Sequence, residues 1–285
     1  ASASGITRVD IDVAAGLTAT IDGMAGHEVI RVTEVASTND VVEAKLASAT
    51  GSADSISFEL NGTFAADGLN LKTTDVETVN IKMTSAESID LSQITMATSG
   101  EVAALAVSGN VSLTVTALGT DVTSIDASAM TTGGAFVQTG RTSTEIATYT
   151  GSLGNDTFMM FNKGDVLDGG AGTGDTLNID FTGILGGLAI DLSSATDQVG
   201  TVDGVTNTVV QKGFENVELT GYTGFGASIT GGTGANSLTG TVLTDSIAAG
   251  KGADTLIGSS AADTMSGGAG ADIFNGVLQG AGVTG

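Results

Sequence analysis

The chain has 285 residues, 32 Asp and Glu against 9 Lys and Arg, a formal net charge of −23, and no Pro, Cys or Trp. That charge argues against nucleic acid or an anionic membrane face as partners and favours divalent cations. A mean hydropathy of +0.28 excludes the acidic disordered class, even with 43 glycines, and aromatics at 4% leave an aliphatic core. No run approaches the roughly 18 apolar residues of a membrane helix, so membrane insertion is not expected. The start, Ala1-Ser2-Ala3-Ser4-Gly5, shows neither a secretory leader nor an initiator Met. The end, at Gly280 to Gly285, is abrupt. The chain therefore reads as a piece of something longer.

Residues 1–150 form a Thr- and Ala-rich region of short alternating runs. Thr7 to Val13, Ile56 to Leu60, Val76 to Ile81, Val111 to Val115 and Val122 to Asp126 alternate apolar and polar residues between turn residues, which predicts strands. Two stretches predict helix instead: Asn39 to Ala49, behind a cap at Thr38 or Asn39, and Glu101 to Val107. A degenerate repeat runs through the text. Ile-Asp-x-Ser occurs at 89–92, 125–128 and 190–193, and Val-x-x-aliphatic-x-aliphatic at 76–81 and 102–107, with Ala in last place at 122–127. Spacings of roughly 20 to 26 residues suit rungs of a β-solenoid. A β-sandwich would look similar in places, and the solenoid is preferred. Asp90, Asp126 and Asp191 are expected to bond nearby backbone N–H groups rather than metal.

Residues 151–230 form the second region. Gly151 to Met159 reads Gly-Ser-Leu-Gly-Asn-Asp-Thr-Phe-Met, the following nine keep Gly164-Asp165-Val166-Leu167, and Gly169 to Leu177 carries one inserted residue before Asp175. Strand-like text follows, including Leu188 to Leu192 and Phe214 to Leu219. The third region, 231–285, holds five tandem nine-residue units starting at 231, 240, 249, 258 and 267. The last, Gly-Gly-Ala-Gly-Ala-Asp-Ile-Phe-Asn, fits G-G-x-G-x-D-x-U-x at every specified position, U being a large apolar residue.

Each position of that pattern has a task. Glycines permit φ > 0 and converging carbonyls, Asp supplies a charged oxygen, and position eight points into the core. Hard oxygen ligands from stacked turns can then enclose Ca²⁺, the expected cofactor. Consecutive turns fall on opposite edges of a roll, so units 231, 249 and 267 share one edge and units 240 and 258 the other. The better glycine turns lie on the first edge, which predicts metal there and hydrogen-bonded or apolar stacking on the other. The best site is expected between the turns of Asp254 and Asp272, with carbonyls of Gly252, Gly268 and Gly270. A weaker one is expected between Asn236 and Asp254. In the earlier block Asp156 and Asp175 should face each other, with Gly154 and Gly172 in their turns. Asp165 and Asp263 complete the candidate metal residues.

Catalysis finds little support. The one histidine, His27, precedes Glu28, but Arg31 breaks H-E-x-x-H; it reads as a surface or packed residue. No G-x-S-x-G elbow or thiol nucleophile is present. No enzyme activity is expected.

The units at 249–275 and 151–177 resemble RTX (repeats-in-toxin) calcium-binding nonapeptides. The remaining text, with Val76 to Ile81, the Ile-Asp-x-Ser steps and Phe214 to Leu219, resembles the body of RTX-type bacterial S-layer proteins. The resemblance implies an all-β chain, a β-solenoid or irregular parallel β-helix with C-terminal parallel β-roll segments. It also implies an extracellular, cell-surface protein exported by a type I route. Such a protein would self-assemble with calcium as a homo-oligomeric lattice or filament and meet cell-surface polysaccharide through parts outside this chain. A segment of a large RTX adhesin is the alternative. The tail of a secreted enzyme is a third reading, and it would need a catalytic domain that residues 1–150 do not suggest.

Overall fold

The computed structural model describes residues 7–13, 17–26, 28–35, 40–48, 53–64, 69–96, 102–131, 133–141, 146–179, 186–276 and 283–284. His27 lies outside them. Every regular element among the described residues is a strand. The chain forms two compact units, Ala1–Gly154 and Asn155–Gly285.

In the first unit, successive strands alternate between two parallel sheets. One contains Arg8–Val13, Val29–Val35, Ser55–Phe64, Thr78–Met83, Ala103–Gly109, Val122–Met130 and Thr148–Thr150, in that order. The other contains Thr18–Met24, Val41–Leu46, Leu69–Thr74, Glu87–Thr95, Leu113–Leu118 and Phe136–Gln138. Pairing a strand with the next but one stacks like residues into columns. Ile56, Val79, Leu105, Ile125 and Tyr149 form one such column, in register and buried. Each rung thus covers the apolar face of its neighbour, which is what a solenoid requires.

The two predicted helices are strands. Residues 41–46 and 103–109 each pair on both sides with parallel neighbours. In the first, β-branched Val41 and Val42 favour the extended form, and tertiary pairing overrides a weak helical period. In the second, the buried residues Ala103, Leu105 and Val107 alternate with less buried ones, a period of two.

The Ile-Asp-x-Ser steps prove to be local turns of hydrogen bonding. The Oδ1 atoms of Asp90, Asp126 and Asp191 accept the backbone N–H two residues on, from Ser92 at 2.7 Å, Ser128 at 2.9 Å and Ser193 at 3.0 Å. Strand register slips beside Asp90 and Asp126, so the motif marks a bulge that bends the strand.

In the second unit, one sheet runs Thr157–Met160, Thr176–Ile179, Asn216–Glu218, Ser237–Thr239, Thr255–Ile257 and Ile273–Asn275. Another runs Leu188–Asp191, Ala227–Thr230, Ser246–Ala248, Thr264–Ser266 and Val283–Thr284. The eighth residues of the five units, Leu238, Ile247, Leu256, Met265 and Phe274, fall alternately on the two sheets, the first four fully buried. A hairpin, Val199–Val202 with Val205–Thr206, adds antiparallel strands beside Leu188–Asp191. Its two-residue turn places Asp203 and Gly204 at φ 60° and 71°, the left-handed pair that matches strand twist.

Candidate metal centre

The nonapeptide turns divide between two edges of the second unit, as the alternation of strands dictates. On the first edge, residues 156, 175, 215, 236, 254 and 272 each stand immediately before a strand of the same sheet. Parallel register places them one above another. The Oδ1 of Asp175 accepts the Asp156 N–H at 2.7 Å, and Oε2 of Glu215 accepts the Asp175 N–H at 2.9 Å. Asp254 Oδ1 accepts the Asn236 N–H at 2.8 Å, and Asp272 Oδ1 accepts the Asp254 N–H at 3.1 Å. Except at Asn236, one carboxylate oxygen per rung thereby satisfies the backbone donor of the rung before it, and the Glu215 N–H instead meets the Asp175 carbonyl oxygen.

The second oxygen is where the edges differ. On the other edge Asp263 spends both: Oδ1 accepts from Asp245 N–H at 2.9 Å and Oδ2 from Ser259 N–H at 2.9 Å. Asp245 does the same, with Ala227 N–H and the Thr241 hydroxyl on Oδ1 and Thr241 N–H on Oδ2. On the first edge the Oδ2 atoms of Asp175 and Asp254 are buried and make no hydrogen bond of normal geometry. A buried oxygen without a donor is costly unless a cation faces it.

The glycine turns on the first edge supply the other half of a cradle. Gly250, Gly252, Gly268 and Gly270 all have positive φ, between 88° and 148°. A Cβ on Gly270 would fall 1.5 Å from the Gly252 carbonyl oxygen, and one on Gly252 2.3 Å from that of Gly234. Carbonyl oxygens are thus packed turn upon turn where no side chain fits. Among the described residues no group of three or more His, Cys, Asp or Glu could hold a metal by side chains alone. Ligation must draw on backbone carbonyls, the donor set that suits hard, flexible Ca²⁺. The residues fit that ion: Asp254 and Asp272, with the carbonyls of Gly252, Gly268 and Gly270, would hold it. There it would neutralise buried charge and lock adjacent turns.

Electrostatics point the same way around Asp175. Burial pushes its carboxyl up to about 7; the Asp156 and Gly172 N–H groups oppose this, and the charges of Asp156 and Glu215 add to it. Glu215 and Asp245 are likewise raised, chiefly by burial.

The predicted residues therefore separate into groups. Asp156 and Asp175 lie on adjacent rungs, with Gly172 in the turn that precedes Asp175. Asp165 closes its own turn, Oδ2 accepting the Phe161 and Asn162 N–H groups at 3.1 and 2.9 Å. Gly154 is buried, and a Cβ there would meet the Gly134 carbonyl oxygen at 1.9 Å. Asn236 Oδ1 is taken by Gly232 N–H at 2.8 Å. Glu215 escaped sequence reasoning because its segment lacks the glycines. The frame acid-x-apolar would have found it, since Asp156-x-Phe158, Asp175-x-Leu177, Glu215-x-Val217, Asp254-x-Leu256 and Asp272-x-Phe274 share it. The same frame serves the first unit, where Asp40 Oδ1 accepts the Leu17 N–H and Glu77 Oε2 the Asp54 N–H.

Fold and site together define a calcium-binding parallel β-roll. Residues 240–274 match the family model of the RTX calcium-binding nonapeptide repeat (4 copies), so the chain carries RTX repeats and calcium is its cofactor. No curated protein and no solved structure matches the chain.

Proposed function

We propose that this chain is a secreted, non-catalytic structural protein that self-assembles with calcium into a bacterial surface layer or extracellular filament. The observation that carries the reading is the buried, unpartnered Oδ2 of Asp254 in a roll whose other acidic side chains are largely occupied by backbone N–H groups. A cation there is a structural member. Ca²⁺ that binds only the folded roll stabilises it by mass action: at ~1 mM calcium and a Kd on the order of 0.1 mM, one site contributes about 1.4 kcal/mol. Several such sites make folding conditional on an extracellular calcium level.

Self-association is supported by the second edge, where the carboxylates of Asp245 and Asp263 are taken up by hydrogen bonds. Phe225, Val242 and Leu243 are exposed on the turns before two adjacent strands, Ala227–Thr230 and Ser246–Ala248. Electron microscopy of the chain with calcium and with EDTA tests the reading. Sheets, tubes or fibres that require calcium are expected. Monodisperse rods in both conditions would overturn self-assembly and favour a segment of an RTX adhesin.

A further inference from the structure

We propose that Asp175 and Glu215 hold a calcium ion outside the matched repeats, with Glu215 supplied by a segment that has no nonapeptide. The proposal rests on the calcium reading of the roll and adds a site to it.

Register brings the two residues together. Thr176 pairs with Asn216, so Asp175 and Glu215 occupy adjacent rungs, and Glu215 Oε2 accepts the Asp175 N–H at 2.9 Å. Three residues, Gly213 to Glu215, replace the six- or seven-residue turns found elsewhere on this edge. The extra methylene of Glu over Asp gives this shorter turn added reach. Asp175 and Glu215 are 40 positions apart, against 18 for Asp254 and Asp272, and the intervening segment holds the inserted hairpin. It hides the continuity of the ladder from a motif search.

The independent sign of a ligand is Asp175 itself. It is fully buried, its Oδ1 is used by Asp156 N–H, and its Oδ2 makes no hydrogen bond of normal geometry, the Gly172 N–H lying close enough only to oppose the rise in its pKa. Among the described residues neither Asp175 nor Glu215 pairs with a Lys or Arg; the nearby Lys212 is engaged with Asp168 at 3.0 Å. The turn before Asp175 is built to enclose its carboxylate. Gly170 has φ 105°, and a Cβ on Gly169 would fall 3.0 Å from Asp175 Cβ and 2.2 Å from the Gly213 carbonyl oxygen. Backbone carbonyls of this turn complete the oxygen set.

Asn236 bounds the site. Its Oδ1 accepts Gly232 N–H and its Nδ2 donates to the Glu215 carbonyl oxygen at 2.7 Å. A neutral amide, engaged at both its oxygen and its nitrogen, therefore stands between this pair and Asp254, so the two positions should load separately.

Calorimetric titration of the full chain with CaCl₂ tests this, with circular dichroism to verify folding. Glu215→Gln keeps an amide oxygen for the Asp175 N–H, and Asp175→Asn keeps one for the Asp156 N–H. Each is expected to weaken one class of uptake by about 10-fold or more while sparing the other. Asp254→Asn should do the converse. Unchanged isotherms for both Glu215→Gln and Asp175→Asn, with loss in Asp254→Asn, would overturn the proposal and leave the calcium roll standing. A wild-type chain without uptake would overturn both.

Discussion

Asp254 and Asp263 stand nine residues apart in the sequence, both buried, yet their second carboxylate oxygens have opposite fates. Oδ2 of Asp263 accepts the Ser259 N–H, whereas Oδ2 of Asp254 accepts nothing. Asp254→Asn should therefore be near neutral or stabilising in EDTA and destabilising in millimolar calcium. Asp263→Asn should cost about 1–3 kcal/mol in both, because an amide cannot replace both acceptors. Thermal melts of the two variants with and without calcium decide it; parallel behaviour would refute the two-edge account.

Gly270→Ala tests the cradle. Its φ of 148° and a Cβ 1.5 Å from the Gly252 carbonyl oxygen force that turn to move. Backbone strain and overpacking together should cost roughly 2–4 kcal/mol and weaken calcium uptake. Gly234→Ala, where a Cβ meets nothing within 4 Å, is the matched control and should melt close to wild type.

Gln198 ties the inserted hairpin to the rung that carries Glu215. Its Nε2 donates to the Leu192 and Phe214 carbonyls, and its Oε1 accepts the Phe214 N–H at 2.9 Å. Gln198→Ala leaves these buried groups unmet and should cost roughly 2–4 kcal/mol. In titration it should weaken the uptake that depends on Glu215 more than the uptake that depends on Asp254. Equal effects on both would contradict the assignment.

An acid limb is expected in the first unit. The Lys72 ammonium, 2.9 Å from Glu43, holds that carboxyl below its ordinary value, aided by the Thr20 hydroxyl and Lys45 and opposed by burial. A depressed folded pKa means the ionised form stabilises the fold. That contribution is full above the unfolded value near 4.5 and is lost as pH falls through the folded one. Glu43→Gln should flatten this part of a stability-against-pH curve below about pH 4.5. An unchanged acid limb would remove Glu43 from the account.

Much of this was legible in the residues. Leu238, Ile247, Leu256 and Met265 announce a core by their nine-residue period, and the glycines of the 249 and 267 units announce turns with φ > 0. The first unit was harder. Columns such as Ile56, Val79, Leu105 and Ile125 are spaced 23, 26 and 20 residues apart, because bulges and turns of unequal length absorb the difference. Residues 39–49 read as helix because a lone rung shows its own period and not the two neighbours that flatten it. Glu215 was hidden because register, rather than local composition, carries it into line.

The ladder of acidic residues has a consequence for salt. Parallel strands repeat at about 4.8 Å, while two unit charges in water balance thermal energy near 7 Å. When ionised, Asp156, Asp175 and Glu215 thus form a line charged beyond what water alone screens, as do Asp254 and Asp272. Such a line condenses counterions, and a divalent ion displaces two monovalent ones with an entropic gain. Neutral Asn236 cuts the line in two, so it behaves as an electrostatic insulator and caps how much repulsion any one run must bear.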